Sequence, residues 1–388
     1  MTTKKYISLI LSVLVTYILQ AAPGTYYNSI DTNISCANFK TVLARLLTSN
    51  STVLPYGIVD DNFNKTDLKP ATGAATGLVV SDKYSSDNPG GIDFCNYRYP
   101  TNFCGFVTSS ITAECTCYNK EHSFPKSWFG GALVYPMYSD MHFIWPSDAF
   151  VNTKKLDYPI GYVYTASYTS KNGNKIGSSN IAANYGYNAS KLFEPIDSFK
   201  GDFARAYLYV ITRYEDSLTS WVGRNNIASG VLDGNKYPGF KPWMLQLCVK
   251  WNKLDPPSAF ERKRNDSVYS LQGNRNPYID YPNWVEKVFG TNGISSSCVS
   301  TGIKDNKSLA YAVFPNPVHD ALLNIRLNTG MDEEATIEIV DILGRTVITQ
   351  ILHPASPSNI DISNLGKGMY FINIIYKGQN NASLFIKE

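Results

Sequence analysis

Histidine is scarce in this chain: four residues in 388, namely His122, His142, His319 and His353. Imidazole is the natural proton carrier near neutral pH. Two of the four lie in a tail of different character, so base chemistry must rest on His122 or His142. Charge is sparse as well, at 17% with a net +3, which excludes a fold-wide basic stripe. Arginine is missing altogether between His122 and Arg205. Any phosphate clamp from that stretch must use lysine, a point charge without the two-pronged guanidinium geometry. Cys115-Thr116-Cys117 has no second Cys/His pair at ligand spacing, which argues against a zinc site. Beyond the first residues, no apolar run is long enough to span a bilayer.

What is present divides the chain. Lys4-Lys5, an apolar run from Ile7 to Leu19 and Ala21-Ala22 read as a secretory signal over residues 1–21, too short for a membrane anchor. Residues 313–388 hold five Lys/Arg against eight Asp/Glu, a balance of −3. Between signal and tail stand 28 basic and 24 acidic residues, so the middle leans basic. The seven cysteines all follow the signal, and in an exported chain they point to disulfides, with at least one left unpaired within the chain. Cys95, Cys104, Cys115 and Cys117 crowd together. Two short crosslinks there would stiffen the segment before Glu121-His122, with Cys104–Cys117 the first pairing expected.

Periodicity predicts an opening helical region over 25–50 (Phe39, Val42, Leu43, Leu46), then loops and short strands over 70–115, then a strand from Ile111 to His122. Residues 165–188 are Gly/Asn/Ser/Tyr-rich and read as a long surface loop. Helices follow over Gly201–Tyr214 and Lys241–Lys253. The second should stop at Asp255-Pro256-Pro257, whose Asp-Pro pair suits the N-cap of a further helix toward Gln272. Residues 299–312 read as a linker. Alternating strands then run through 313–388, with turns at Leu343-Gly344-Arg345 and Gly366-Lys367-Gly368.

Several strings carry a resemblance. Cys117-Tyr118-Asn119-Lys120-Glu121-His122-Ser123-Phe124-Pro125, the run from Asp140-Met141-His142 to Val151-Asn152-Thr153-Lys154-Lys155, Gly201-Asp202-Phe203-Ala204-Arg205, and Gln272-Gly273-Asn274-Arg275-Asn276-Pro277 together resemble the endonuclease I family of secreted nucleases. Phe314-Pro315-Asn316-Pro317, Asp341-Ile342-Leu343-Gly344-Arg345 and Gly368-Met369-Tyr370 resemble the C-terminal sorting domain of type IX secretion. The fold so implied is α+β: a ββα-metal (His-Me finger) nuclease domain over 22–298, mixing helices with small sheets, and then a small all-β sandwich. An Ig-like adhesion module is the alternative reading of the tail.

The resemblance implies metal-dependent hydrolysis of DNA, RNA or both, with little sequence preference. His122 matches its general base, and Glu121 and Asn152 its ligands for Mg²⁺, with Ca²⁺ or Mn²⁺ as substitutes. Adjacent strand residues point to opposite faces, so Glu121 and His122 can share one phosphate only at a strand end or bulge. Lys126 or Lys155 is the phosphate clamp expected. Arg205 and Arg275 are further candidates for backbone phosphates, supported by Gln272 and Asn274; for Arg205 a core pairing with Asp202 stands as the alternative. His142 reads as a structural residue that holds the finger together by hydrogen bonds. The chain departs from the family pattern at Phe143 and at Lys154-Lys155-Leu156-Asp157. Expected partners are a nucleic-acid backbone and the secretion machinery, with a monomer secreted or displayed at the cell surface. The rival readings are an extracellular ribonuclease and a non-catalytic binding or adhesion protein.

Overall fold

A computed structural model describes residues 23–86, 91–105, 111–178, 191–290, 293, 311–327, 333–341, 345–354, 358–376 and 379–388. The expected signal, residues 299–310 of the expected linker and part of the 165–188 segment lie outside these residues. The chain forms two compact units, Met1–Ser300 and Thr301–Glu388. Among the described residues, no helix is long and apolar enough to cross a membrane.

The first unit is mixed α+β. Helix α1 (Cys36–Ser49) buries Phe39, Leu43 and Leu47 on one face. Two short strands, β1 (Leu68–Pro70) and β2 (Leu78–Val80), pair antiparallel. The one-turn helix α2 (Phe63–Thr66) precedes β1, and strand β3 (Tyr118–His122) is followed by the one-turn helix α3 (Lys126–Phe129). Next come strand β4 (Ile144–Asp148) and helix α4 (Ala149–Lys155). The longest helix among the described residues, α5 (Asp197–Arg213), is buried at 15 of its 17 positions. A helix wrapped on all sides is a core helix, and the core packs around this one: Phe124, Trp128, Phe129, Tyr207 and Trp221 form one aromatic cluster.

Three local expectations need correction. The strand before His122 starts at Tyr118 rather than Ile111, because Cys115 takes a positive φ of 67° and its disulfide to Cys95 holds residues 111–117 in turns. The segment from Thr165 is a hairpin as far as it is described. Strands β5 (Thr165–Thr169) and β6 (Lys175–Ser178) pair antiparallel around Asn172-Gly173, and β7 (Leu192–Glu194) joins β6. That Asn-Gly pair is the local turn signal that the polar composition masked. The helix after α6 (Pro242–Leu254) is capped by Ser258, whose hydroxyl accepts from Glu261 N at 3.1 Å, and runs as α7 (Ala259–Gln272). Asp255 is not its cap; its carboxylate accepts from Gly201 N instead.

The second unit is a β-sandwich. A four-stranded sheet, β11 (Thr346–Leu352)–β10 (Ala335–Asp341)–β13 (Gly368–Tyr376)–β14 (Gln379–Lys387), shares its core with a three-stranded one, β12 (Ser358–Asp361)–β9 (Leu322–Leu327)–β8 (Tyr311–Phe314). Period-two alternation turns Ala335, Ile337 and Ile339 inward. The first described strand of the sandwich starts at Tyr311.

Candidate active site

Antiparallel β3 and β4 pair Tyr118 with Asp148, Glu121 with Trp145 and His122 with Ile144, and α4 leaves directly from the end of β4. This is a ββα unit. Asp148 joins its parts: one carboxylate oxygen caps α4 at Val151 N (2.9 Å), and the other accepts from Cys115 N (2.8 Å) and Tyr97 Oη (2.6 Å). Disulfides Cys95–Cys115 and Cys104–Cys117 crosslink the segment leading into β3. The Cys104–Cys117 pairing matches expectation. Cys36 is also disulfide-bonded, and Cys248 is a buried free thiol. The one His/Cys/Asp/Glu group close enough for a metal among the described residues is Cys95, Cys115 and Asp148, but both sulfurs are consumed in a disulfide. Cys115 and Cys117 are therefore closed to zinc.

His122 is the last residue of β3, so the alternation that would separate it from Glu121 ends where the two meet. A cleft of about 480 Å³ is lined by Tyr56, Asn119, Glu121, His122, Lys126 and Asn152, among others. Each of the three candidate side chains His122, Asn152 and Glu121 has a dedicated holder. Nε2 of His122 lies 3.0 Å from the Tyr138 carbonyl, which makes it the protonated nitrogen and leaves Nδ1 as the lone-pair bearer. Tyr56 and Tyr138 stack on the ring at 5.6 and 5.3 Å. Burial pushes the imidazole down to about 3, against the Tyr138 carbonyl bond that favours the charged form, and Lys126, Lys120 and Lys155 push it further. At neutral pH the ring is uncharged.

Asn119 and Glu121 are two residues apart on one strand face, and α4 lies against that face. The Nδ2 of Asn152 donates to Asn119 Oδ1 at 2.9 Å, and Ser147 Oγ donates to the same oxygen at 3.2 Å. With its NH₂ engaged, Asn152 keeps its amide oxygen for the cleft. Glu121 Oε1 accepts from Tyr84 Oη at 2.7 Å and pairs with Lys155 Nζ at 2.9 Å. One carboxylate and one amide oxygen in a cleft are hard donors, which suit Mg²⁺, Mn²⁺ or Ca²⁺ rather than a soft metal.

The structure brings Glu121, His122, Asn152 and Lys126 to the lining of this cleft and leaves the other five candidates out of that lining. Lys155 is fully buried against Glu121, so it cannot clamp a phosphate. Arg205, fully buried, spends its guanidinium on Glu261 (2.7 and 2.5 Å), the Asp255 carbonyl, Asn252 and Asp202. Arg275 forks onto Asp280 (2.7 and 2.8 Å) and reaches Asp266. Gln272 bridges Met141 N and Asp140, and Asn274 donates to Tyr209. All four are buried and engaged with other protein groups, which argues against phosphate contact.

Gln272 and Asn274 sit at the crossing between Tyr138 and β4. Asp140 accepts from Tyr209, Tyr214, Arg213 and Gln272. Arg264 pairs with Asp67 and donates to the carbonyls of Met141 (2.8 Å) and Ile144 (2.7 Å). His142 Nε2 meets the Asn274 carbonyl at 2.9 Å, a structural role. Gly273 ends α7 at φ +75°, where a Cβ would lie 2.3 Å from the Asn50 carbonyl, so only glycine fits. Sequence reasoning missed Tyr84 and Tyr56 as site residues, and neither carried a signal. Asn119 did carry one, since it stands two positions from Glu121 on the same strand.

The sequence model for "Endonuclease I" matches residues 35–283, and that for "Secretion system C-terminal sorting domain" matches residues 312–388. Two curated relatives are both called extracellular ribonuclease. The one from Bacillus amyloliquefaciens is 30% identical over 177 residues, 44% of this chain and 54% of its own length. The one from Bacillus subtilis (strain 168) is 27% identical over 280 residues, 69% of this chain and 82% of its own length. The match thus spans about half of the first relative and most of the second.

Proposed function

The chain belongs to the Endonuclease I family, and from that premise we propose a metal-dependent phosphodiesterase that cuts DNA and RNA with little sequence preference, working as a monomer. It is a nuclease, secreted or held at the cell surface. The observation that carries the proposal is the cleft in which His122 keeps Nδ1 free while Glu121 and Asn152 present oxygen donors beside it.

His122 takes a proton from water at Nδ1, and the Tyr138 carbonyl steadies the imidazolium that forms through the opposite nitrogen. Glu121 and Asn152 would hold a divalent cation, which would supply neutralisation of the charge that develops on the phosphate and its leaving group. Lys126, exposed at the cleft, draws in the backbone phosphate. In-line attack of the hydroxide on phosphorus then breaks the P–O3′ bond, and the 3′ oxygen takes a proton from solvent, so the products carry a 5′-phosphate and a 3′-hydroxyl. Because phosphate contacts carry the binding, activity falls as salt rises.

The ribonuclease name of both relatives favours RNA as a full substrate, and nothing in the cleft excludes deoxyribose. The test is digestion of plasmid DNA and of RNA by the full chain, with Mg²⁺ or with EDTA. Cleavage of either polymer to 5′-phosphate ends with Mg²⁺, and its loss in EDTA, is the expected result. Undiminished cleavage in EDTA would remove the cation from the mechanism.

A further inference from the structure

Lys155 has no place in the mechanism above, yet it is the most deeply buried cation at the site. Its residue is 0% exposed, its ammonium stands 2.9 Å from Glu121 Oε1, and among the described residues it makes no hydrogen bond of good geometry. The Phe193 ring lies 5.9 Å away on another side. A lysine ammonium is strongly hydrated and has three donors to satisfy. Burying it with a single ionic contact is unfavourable unless the Glu121 charge holds it there. The geometry of α4 explains how it arrives. One turn of helix separates Asn152 from Lys155, and two strand steps separate Asn119 from Glu121. The helix therefore lays Asn152 on Asn119 and Lys155 on Glu121 in matching order.

Glu121 is thereby divided. Oε1 is taken by the ammonium and the Tyr84 hydroxyl, and Oε2 accepts no hydrogen bond among the described residues while the carboxylate lines the cleft. We propose that Lys155 is a built-in counter-cation of the candidate metal site, a positioning residue that offsets the Glu121 charge so that a divalent ion alone binds weakly. The ion is then held firmly only when a substrate phosphate adds negative charge. The inference rests on the reading of Glu121 and Asn152 as metal ligands, and it concerns affinity for the ion rather than the reaction.

The experiment is calorimetric titration of Mn²⁺ alone into the full chain and into Lys155→Met, Lys155→Arg and Glu121→Gln, each checked for fold by circular dichroism. Removing a unit charge this close to a ligand should tighten Mn²⁺ binding in Lys155→Met by on the order of tenfold or more, while Lys155→Arg keeps the weak binding of the parent. Equal or weaker binding by a folded Lys155→Met overturns the proposal, and so does equal tightening in Lys155→Arg. Should Lys155→Met fail to fold without metal, Lys155→Gln replaces it, and the rise in its unfolding temperature on adding Mn²⁺ must exceed that of the parent. Glu121→Gln separates the two levels. Loss of Mn²⁺ binding there supports the ligand assignment, and parental binding would bring down the metal-site reading itself.

Discussion

The cleft around His122 and the network behind it are built from the same kinds of side chain, but they differ in how fully those side chains are partnered. In the cleft, His122 keeps a free nitrogen and Asn152 a free oxygen, and Lys126 reaches solvent. In the network, Asp140 takes four side-chain donors, Arg264 spends its donors on Asp67 and two carbonyls, and Arg205 is enclosed by carboxylates. A polar atom left open at a cleft is available for chemistry. A saturated buried atom fixes geometry. Within the network, Arg264 and Gln272 hold the segment between Tyr138 and β4.

The comparison can be broken by substitution. Arg264→Ala should be the most damaging change. It leaves the Asp67 carboxylate buried without its partner and two carbonyls unbonded, for a loss of about 3–5 kcal/mol of stability; chemical denaturation of the full chain measures it. An Arg264→Ala protein of parental stability would mean that the network is ornamental.

His142 gives the next largest effect, through pH. Burial, the largest cause, brings its pKa down from 6.5 to about 4 against the pull of Asp140. A lowered histidine pKa means that the unfolded chain takes up a proton that the folded one refuses. Its contribution is present in full above pH 6.5 and is lost as pH falls from there to about 4, on the order of 3 kcal/mol in all. Urea unfolding at pH 7 and pH 5 should show the fall, and His142→Gln should flatten part of it. An unchanged slope in that variant would place the titration elsewhere.

Lys126→Ala should have the mildest effect. The account expects a KM several-fold higher, little change in kcat, and a salt dependence reduced by roughly one phosphate contact. An unaltered salt slope would show that this lysine meets no phosphate.

The sequence made the site legible where the chemistry is local. Glu121, His122 and Asn152 stand in strings whose neighbours specify a strand end and a helix, and the Cys104–Cys117 crosslink is close in the chain. What it hid is tertiary. Nothing near Tyr84 announces a contact with a carboxylate 37 positions later. Arg205, Gln272, Asn274 and Arg275 have the residue types of phosphate ligands, and only burial shows that their donors are spent. Lys155 was misread for the same reason, since a strand spacing and a helix spacing had to be superposed before its partner could be known. The β5–β6 hairpin failed differently, because Asn172-Gly173 was a legible turn lost in a polar stretch.

The central claim is that His122 deprotonates the attacking water. It is tested most directly by single-turnover cleavage of RNA and plasmid DNA by His122→Ala under saturating Mg²⁺, with circular dichroism confirming an intact fold. The account predicts a rate lower by roughly 10²–10⁴-fold, the usual contribution of a positioned base. Parental, Mg²⁺-dependent cleavage by that folded variant would contradict it.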